Sequence, residues 1–349
     1  MISRITILGR FGCGNFWDDA ILHSEIMLLK EKYPDAQITI LSWATESFQR
    51  SFLGCSLFPM PPIMWYRFYK LCNITYTIKL LHIFQKTDLF VLWGWWFFSD
   101  RQFFAVAWRL RWVKVAHYFW AKVIGFCMGA WPFFHARNMR IIKRSATYFH
   151  SLIVRDRSSH DNLIAAWCPQ SLVHTLIDPA FFTANYHAVK QPEIGFVIHD
   201  QEAYFVSQIK TLLQKSDFSV KFIIADVLDI EKNRNILNAL GGDSRCSLVV
   251  PTSVQDFVST IWSCAFVVSE RLHGSIISYT QKVPFLNVYY HFKGLELVHL
   301  LGIDSFSADI KDLEHIALLD YINRLNQFPR HDINMDTYRG SLFTLLATL

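Results

Sequence analysis

Short apolar runs alternate with longer amphipathic stretches along most of the chain. The runs predict strands buried on both faces, and the stretches between them carry apolar residues at helical spacing. Strands are predicted at residues 5–8, 37–43, 89–93, 123–128, 151–154, 194–198, 220–224, 247–250, 265–268 and 284–288. A helix is predicted after nearly every strand, which indicates parallel sheets built from strand–helix–strand units.

The alternation breaks after Asp178 and restarts after Pro192. A chain of 349 residues is long enough for two domains, each with its own core. We therefore predict an α/β fold with two doubly wound, Rossmann-like domains that face a cleft. Residues 1–185 would form the first domain, and residues 186–349, with helices at the end, the second.

Composition excludes several classes of protein. Apolar residues make up 52% of the chain and charged residues 18%, so a disordered chain is excluded. The net charge of +5 does not by itself indicate a nucleic-acid partner, and we expect none. The seven cysteines include no CxxC pair, so we predict no zinc site or disulfide framework and expect a reducing, cytoplasmic location. The first residues predict a buried strand rather than a signal peptide.

Aromatic residues make up 16% of the chain, and they concentrate with basic residues between Met64 and Phe134. The longest apolar-looking region, residues 103–134, is interrupted by arginines and lysines. A membrane-spanning helix needs about 20 largely apolar residues, so we predict none. Core helices explain most of this region, and peripheral contact with a membrane surface is the alternative.

A glycine-rich loop follows the first strand, with Gly9, Gly12 and Gly14 in a GxxGxG pattern. The dinucleotide fingerprint is GxGxxG with an acidic residue at the end of the second strand, and this chain has neither. We therefore predict no nicotinamide or flavin site. The loop leads to Asn15, Asp18 and Asp19, which we expect near a substrate, although either aspartate would also serve as a helix cap.

A second candidate is the stretch from Ser269 to Ser278, which predicts a strand, a tight turn and a helix. In an open parallel sheet such a turn lies where ligands bind, at a helix N-terminus that attracts anions. It carries Arg271 and His273, and Arg155 stands on a similar turn in the other half. Two guanidinium groups suit a ligand with two anionic groups. The alternative is that each arginine pairs internally, Arg271 with Glu270 and Arg155 with Asp156.

Together, several separated stretches resemble the polysaccharide pyruvyl transferase family, which transfers pyruvate from phosphoenolpyruvate to sugar hydroxyls. The matching pieces are residues 12–21, the Val154-Arg155-Asp156 turn with its capping Ser158 or Ser159, residues 178–181, residues 270–275, Pro284 and residues 289–294. The resemblance implies a fold similar to the two-domain glycosyltransferase B type, no cofactor and no metal.

The resemblance also implies roles for individual residues. His273 and Asp18 would be catalytic, and His273 would act as the general acid and base because imidazole titrates near neutral pH. Arg155, Arg271, Ser275 and Lys293 would bind the donor, phosphoenolpyruvate. Asn15, Trp17, Asp19 and Trp95 would bind the acceptor, a sugar or lipid-linked saccharide.

The chain departs from the family pattern at two places. Trp17 stands where the family usually has glycine, and Trp95 and Trp96 replace two glycines of a triple-glycine turn. Either an aromatic wall has reshaped the acceptor pocket, or the activity is lost. We therefore predict a transferase of surface polysaccharide biosynthesis, cytoplasmic and compatible with attachment to the inner membrane face and with a homo-oligomer. The alternatives are a nucleotide-sugar glycosyltransferase and a catalytically silent protein that binds carbohydrate or a membrane surface.

Overall fold

The computed structural model describes residues 2–43, 54–60, 74–94, 98–99, 105–184 and 189–349. Within these residues the strands form two sheets, and every strand pairs in parallel with its neighbours. Helices connect most consecutive strands, as the alternating pattern predicts. The predicted α/β class with two doubly wound, Rossmann-like domains is therefore confirmed.

The first sheet has the strand order β3-β2-β1-β4-β5-β6-β7, and the second has β10-β9-β8-β11-β12-β13. The strands are β1 Arg4–Leu8, β2 Gln37–Ser42, β3 Ser56–Pro59, β4 Leu89–Trp93, β5 Lys122–Met128, β6 Ser151–Val154, β7 Val173–Thr175, β8 Glu193–Val197, β9 Ser219–Ile223, β10 Cys246–Val249, β11 Phe266–Ser269, β12 Phe285–Tyr289 and β13 Ser307–Asp309.

The described helices follow the same alternation. They are α1 Phe16–Lys32, α2 Ile74–Lys86, α3 Ala105–Tyr118, α4 Ala136–Ala146, α5 Arg157–Ala165, α6 Glu202–Lys215, α7 Ile230–Ala239, α8 Val254–Ser263, α9 Leu272–Thr280, α10 Phe292–Leu301, α11 Leu318–Ile322 and α12 Met335–Ala347. None of the helices in the described ranges is both long and apolar enough to cross a membrane.

The chain divides into two compact units, and it passes between them more than once. The first unit contains residues 1–13, 25–179 and 335–349, and the second contains residues 14–24 and 180–334. Each sheet lies in one unit and has its own apolar core. The beginning of α1 therefore belongs to the second unit, while α12 belongs to the first. Whether the two units face a cleft stays a prediction.

Three short strands were not predicted from the sequence. They are β3, β7 and β13, and each lies at an edge of its sheet. Edge strands are half-exposed and short, so they lack the continuous apolar run that reveals a central strand. Two local expectations were also wrong. Helix α1 begins at Phe16 and so includes Trp17, Asp18 and Asp19, and the side chain of Asp156, rather than that of Ser158, caps α5.

Candidate functional site

The second sheet has a switch point between β8 and β11. From this pair the chain order runs outward in opposite directions, through β9 and β10 on one side and β12 and β13 on the other. The connecting helices leave a crevice at the carboxyl ends of such a pair, and ligands of open α/β sheets bind there. The turn after β11 carries Glu270, Arg271 and His273, so the predicted motif lies at this switch point.

Glu270 joins the ends of the two central strands. Its Oε2 accepts hydrogen bonds from the backbone amides of His199, at 2.6 Å, and Asp200, at 2.7 Å. Its Oε1 is buried without a hydrogen-bond partner. Burial raises the pKa of Glu270 to about 7, although the two amide hydrogen bonds oppose that rise. The switch point therefore contains a carboxyl group that titrates near neutral pH.

The guanidinium group of Arg271 is held by Asp229 rather than by Glu270. Nε donates to Oδ2 of Asp229 at 2.9 Å, and Nη2 donates to Oδ1 at 2.6 Å. Burial alone would raise the pKa of Asp229, but hydrogen bonds from His199 and Arg271 and the guanidinium charge keep that pKa below its usual value. The expected alternative of a Glu270–Arg271 ion pair is therefore wrong.

His199 and Tyr290 complete the surroundings of Arg271. Nδ1 of His199 lies 2.9 Å from Oδ1 of Asp229 and 2.9 Å from Nη2 of Arg271, so the tautomer decides which of the two it bonds. The hydroxyl of Tyr290 is hydrogen-bonded to the Arg271 side chain. The result is one polar cluster with a single orientation for the guanidinium group.

The N-terminal loop is attached to the same unit by backbone pairing. The amide of Phe16 donates to the carbonyl of Ala225 at 3.0 Å, and the amide of Val227 donates to the carbonyl of Gly14 at 2.9 Å. Gly14 has a φ of 81°, and a Cβ added there would lie 2.7 Å from Cγ1 of Val227. Only glycine permits both this backbone conformation and this close approach.

This pairing brings Trp17 onto His273. The two rings are stacked with centroids 4.4 Å apart and planes 2° from parallel. Both residues are buried, with Trp17 7% and His273 4% exposed. Helix α9 can pack this closely because its third residue is Gly274, where a Cβ would lie 2.2 Å from Oγ of Ser269. The indole and the helix therefore fix the plane of the imidazole.

The other predicted residues of the N-terminal loop also belong to the second unit. Asp18 and Asp19 are buried in the first turn of α1, where carboxylates interact favourably with the helix dipole. Asn15 forms an isolated β-bridge with Asp226, and its Oδ1 is buried without a hydrogen-bond partner. These three residues and His273 are thus brought into one unit, although they are about 250 positions apart in the sequence.

Two predicted donor ligands lie on helices beside the cluster. Ser275 is fully buried in α9, and its Oγ donates to Oδ1 of Asn287 at 2.9 Å. This bond gives Ser275 a structural partner. Lys293 lies in the first turn of α10, and its Nζ is 5.8 Å from the centroid of the Phe292 ring. Their roles in donor binding stay predictions.

Arg155 belongs to the first unit. Its side chain is buried, Nη1 donates to Oδ2 of Asp178 at 3.0 Å, and Nε lies 3.7 Å from Oδ2 of Asp156. The expected pairing with Asp156 is present, but the contact with Asp178 is shorter. A meeting of Arg155 and Arg271 over one ligand stays a prediction. Trp95 and Trp96 lie outside the described residues.

Three residues of the Arg271 cluster were not predicted from the sequence, namely His199, Asp229 and Tyr290. His199 and Tyr290 directly follow the segments of β8 and β12, and Asp229 lies in the turn after β9. Polar residues placed just after apolar runs are the signal that could have identified them. No group of three metal-binding side chains occurs among the residues that the structure describes.

Comparisons with known proteins agree with this fold and site. The sequence model of the polysaccharide pyruvyl transferase family matches residues 15–291. That range begins in the loop beside Trp17 and ends after the turn that carries Tyr290. No curated protein matches the sequence.

Many solved structures share the fold. UDP-GlcNAc 2-epimerase from Neisseria meningitidis, solved with UDP-GlcNAc, is 14% identical with a TM-score of 0.63, and each chain is covered in full. Anabaena HepE, solved with UDP-glucose, is 11% identical with a TM-score of 0.62, and 99% of this chain and 100% of HepE are covered. UDP-GlcNAc 2-epimerase from Methanocaldococcus jannaschii is 13% identical with a TM-score of 0.60, over 95% and 93% of the two chains. The predicted similarity to the glycosyltransferase B type is confirmed, and identities this low establish the fold alone.

Proposed function

The chain belongs to the polysaccharide pyruvyl transferase family, and we propose that it transfers pyruvate from phosphoenolpyruvate to hydroxyl groups of a saccharide. The observation that supports this most is the arrangement at the second switch point. A guanidinium group with a fixed orientation and a stacked imidazole there follow the same strand, one residue apart. A cation and a proton carrier are what the reaction requires.

Arg271 would bind one anionic group of the donor. Asp229 holds the guanidinium through Nε and Nη2, so the orientation is set before the donor arrives. The N-terminus of α9 lies directly after Arg271, where a helix dipole favours an anion. Ser275, Lys293 and Arg155 are assigned as further donor-binding residues on the family resemblance.

The chemistry needs one proton transfer in each direction. His273 donates a proton to the terminal methylene of phosphoenolpyruvate, and the adjacent carbon becomes oxocarbenium-like. A sugar hydroxyl attacks that carbon and loses its proton to a base, for which Asp18 and His273 are the candidates. A second hydroxyl then displaces inorganic phosphate and closes a cyclic ketal. No cofactor is assigned, because phosphoenolpyruvate is the co-substrate.

The acceptor would bind near the start of α1. Asn15, Trp17 and Asp19 offer an amide, an aromatic ring and a carboxylate, which suit hydroxyls and the apolar face of a sugar. They belong to the same unit as His273, and this supports an acceptor hydroxyl close to the imidazole. Trp95 is assigned to the acceptor on sequence grounds alone. A lipid-linked saccharide made on the cytoplasmic side of a membrane is the acceptor class we propose, in surface polysaccharide biosynthesis.

Donor binding measured by calorimetry tests the proposal. Phosphoenolpyruvate should bind the wild-type chain and bind Arg271→Ala at least tenfold more weakly, since a charge-assisted, two-nitrogen contact is lost. His299→Ala is the control, because His299 is an exposed histidine of the same unit. A wild-type chain that ignores phosphoenolpyruvate but binds UDP-glucose would overturn the proposal in favour of a nucleotide-sugar enzyme. Binding of neither compound would favour the silent homologue.

Turnover tests the role of His273. His273→Ala should release phosphate from phosphoenolpyruvate about 10²–10⁴-fold more slowly in the presence of p-nitrophenyl hexosides, because general acid–base catalysis contributes about this much. Calorimetry of the same variant with phosphoenolpyruvate separates lost chemistry from lost binding. A variant that binds the donor and turns it over normally would remove His273 from the mechanism.

A further inference from the structure

Two tryptophans of the first unit occupy left-handed backbone positions. Trp120 has a φ of 66° and follows α3, and Trp167 has a φ of 67° and follows α5. A bulky residue with positive φ is uncommon, because its Cβ collides with the backbone. Glycine is the usual residue at such a helix end.

The two turns have the same hydrogen bonds. The tryptophan amide donates to the third carbonyl back, and the next amide donates to the fifth carbonyl back, which is the Schellman pattern. The donors are Trp120, at 3.0 Å, and Ala121, at 3.1 Å, in one turn, and Trp167, at 2.9 Å, and Cys168, at 3.1 Å, in the other. After α10 the corresponding left-handed residue is Gly302, with a φ of 60°.

The fold gains little from the indoles themselves. Trp120 is 92% exposed and Trp167 is 47% exposed, so neither contributes much apolar burial. Each position would accept glycine with less backbone strain. Two exposed tryptophans at positions that disfavour them indicate a role outside the folding of the monomer.

The two turns lie at the same edge of the first sheet. Strands β5, β6 and β7 are consecutive in the sheet, Trp120 precedes β5 and Trp167 precedes β7. Tyr118, 76% exposed, stands beside Trp120 in the chain. The Nζ of Lys143 lies 5.6 Å from the ring centroid of Trp167, within cation–π range.

This edge is basic as well as aromatic. Residues 101–155 contain ten lysines and arginines and no aspartate or glutamate. Lys114, Lys143 and Arg144 are exposed near the C-terminal ends of α3 and α4, which point toward this edge. We define the aromatic edge as Lys114, Tyr118, Trp120, Lys143, Arg144 and Trp167.

We propose that the aromatic edge docks on the surface of an anionic lipid bilayer. Tryptophan and tyrosine partition to the level of lipid headgroups, and clustered lysine and arginine side chains are attracted by anionic lipids. Nucleic acid is the other common polyanion. Aromatic residues that bind single strands line a groove together with the cations, whereas these tryptophans stand on two separate turns. The observations therefore favour the membrane.

Vesicle flotation with the full chain tests the proposal. The probes are vesicles of phosphatidylcholine with about 30% phosphatidylglycerol, and pure phosphatidylcholine, at about 0.1 M salt. The test variant is the double substitution Trp120→Gly and Trp167→Gly, which should fold at least as well as the wild type because glycine suits both turns. The control is Lys282→Gly, since Lys282 has a φ of 56° in the same type of turn after α9 in the second unit and is also exposed.

The wild type should float with the anionic vesicles and much less with the neutral ones. The double variant should bind the anionic vesicles at least tenfold more weakly, Lys143→Ala about fivefold more weakly, and Lys282→Gly as well as the wild type. A wild type that does not float, or a folded double variant that floats equally well, would overturn the proposal. So would a double variant that keeps vesicle binding but loses self-association in sedimentation velocity, or loses binding to a labelled RNA.

Discussion

Glu270→Gln isolates the contribution of one buried carboxyl group to stability. Glutamine has nearly the same shape as glutamate, and its side-chain oxygen can accept the amide hydrogen bonds of His199 and Asp200. It cannot ionise. The variant should therefore keep the connection between β8 and β11 while removing the titration.

The direction of the effect follows from the pKa values of the two states. Burial raises the pKa of Glu270 from an ordinary 4.5 to about 7 in the folded chain. Between these values the folded state holds a proton that the unfolded state has lost, so the contribution of Glu270 to stability is full below pH 4.5 and declines as the pH rises through 7. The difference of 7 − 4.5 = 2.5 corresponds to about 3 kcal/mol at about 1.36 kcal/mol per unit. Roughly 2.5 kcal/mol of this is lost between about pH 5 and pH 8.

Urea unfolding at several pH values between about pH 5 and pH 8 measures this difference. The free energy of unfolding of Glu270→Gln minus that of the wild type should rise by roughly 2.5 kcal/mol over that range. Glu231→Gln, at an exposed carboxyl of the same unit, is the matched control and should give a nearly constant difference. If the Glu270→Gln difference is also independent of pH, then Glu270 does not titrate near neutral pH and the reasoning is refuted.

Three further substitutions probe the groups around this carboxyl and in the first unit. Arg271→Lys keeps the charge but cannot donate to Asp229 from two nitrogens of a rigid fork, so KM for phosphoenolpyruvate should rise roughly tenfold, and an unchanged KM in steady-state kinetics would exclude Arg271 from donor binding. Trp17→Ala frees the plane of the His273 imidazole, so kcat should fall roughly tenfold with a smaller change in KM, whereas the opposite split would assign Trp17 to substrate binding instead. Glu25 is fully buried in the first unit, neither of its carboxyl oxygens has a hydrogen-bond partner, and burial raises its pKa well above the usual value. Glu25→Met should therefore raise the free energy of unfolding by about 1–3 kcal/mol in urea denaturation, and a loss of stability would contradict that assignment.

The central strands could be predicted because they are buried on both faces. All five residues of β4, Leu89–Trp93, are buried, and the apolar run in the sequence has the same bounds. Strand β11 was predicted one residue early, since Ala265 continues the apolar run although it precedes the strand. Strand β7 is three residues long and only Val173 is buried, so no period of hydrophobicity marks it.

The site could be predicted only where its residues are neighbours in the sequence. Arg271 and His273 stand in one turn, and a local motif identifies them. Asp229 meets Arg271 across 42 positions, and His199 meets it across 72. A contact at such separation is set by the order of strands in the sheet, which a single sequence does not specify. For the same reason the Glu270–Arg271 pair was a natural but wrong expectation.

The position of Trp17 joins these two kinds of information. Local pattern alone assigns the glycine loop to the first domain, because the loop directly follows β1. Backbone pairing of residues 14–16 with residues 225–227 instead fixes the loop to the second unit, where Trp17 covers His273. The turn begins with positive φ at both Gly12 and Gly14, which allows the chain to leave one sheet and pair with the other. The N-terminal motif and the Arg271–His273 motif are therefore two parts of one site, so a substitution in either should affect the same step of the reaction.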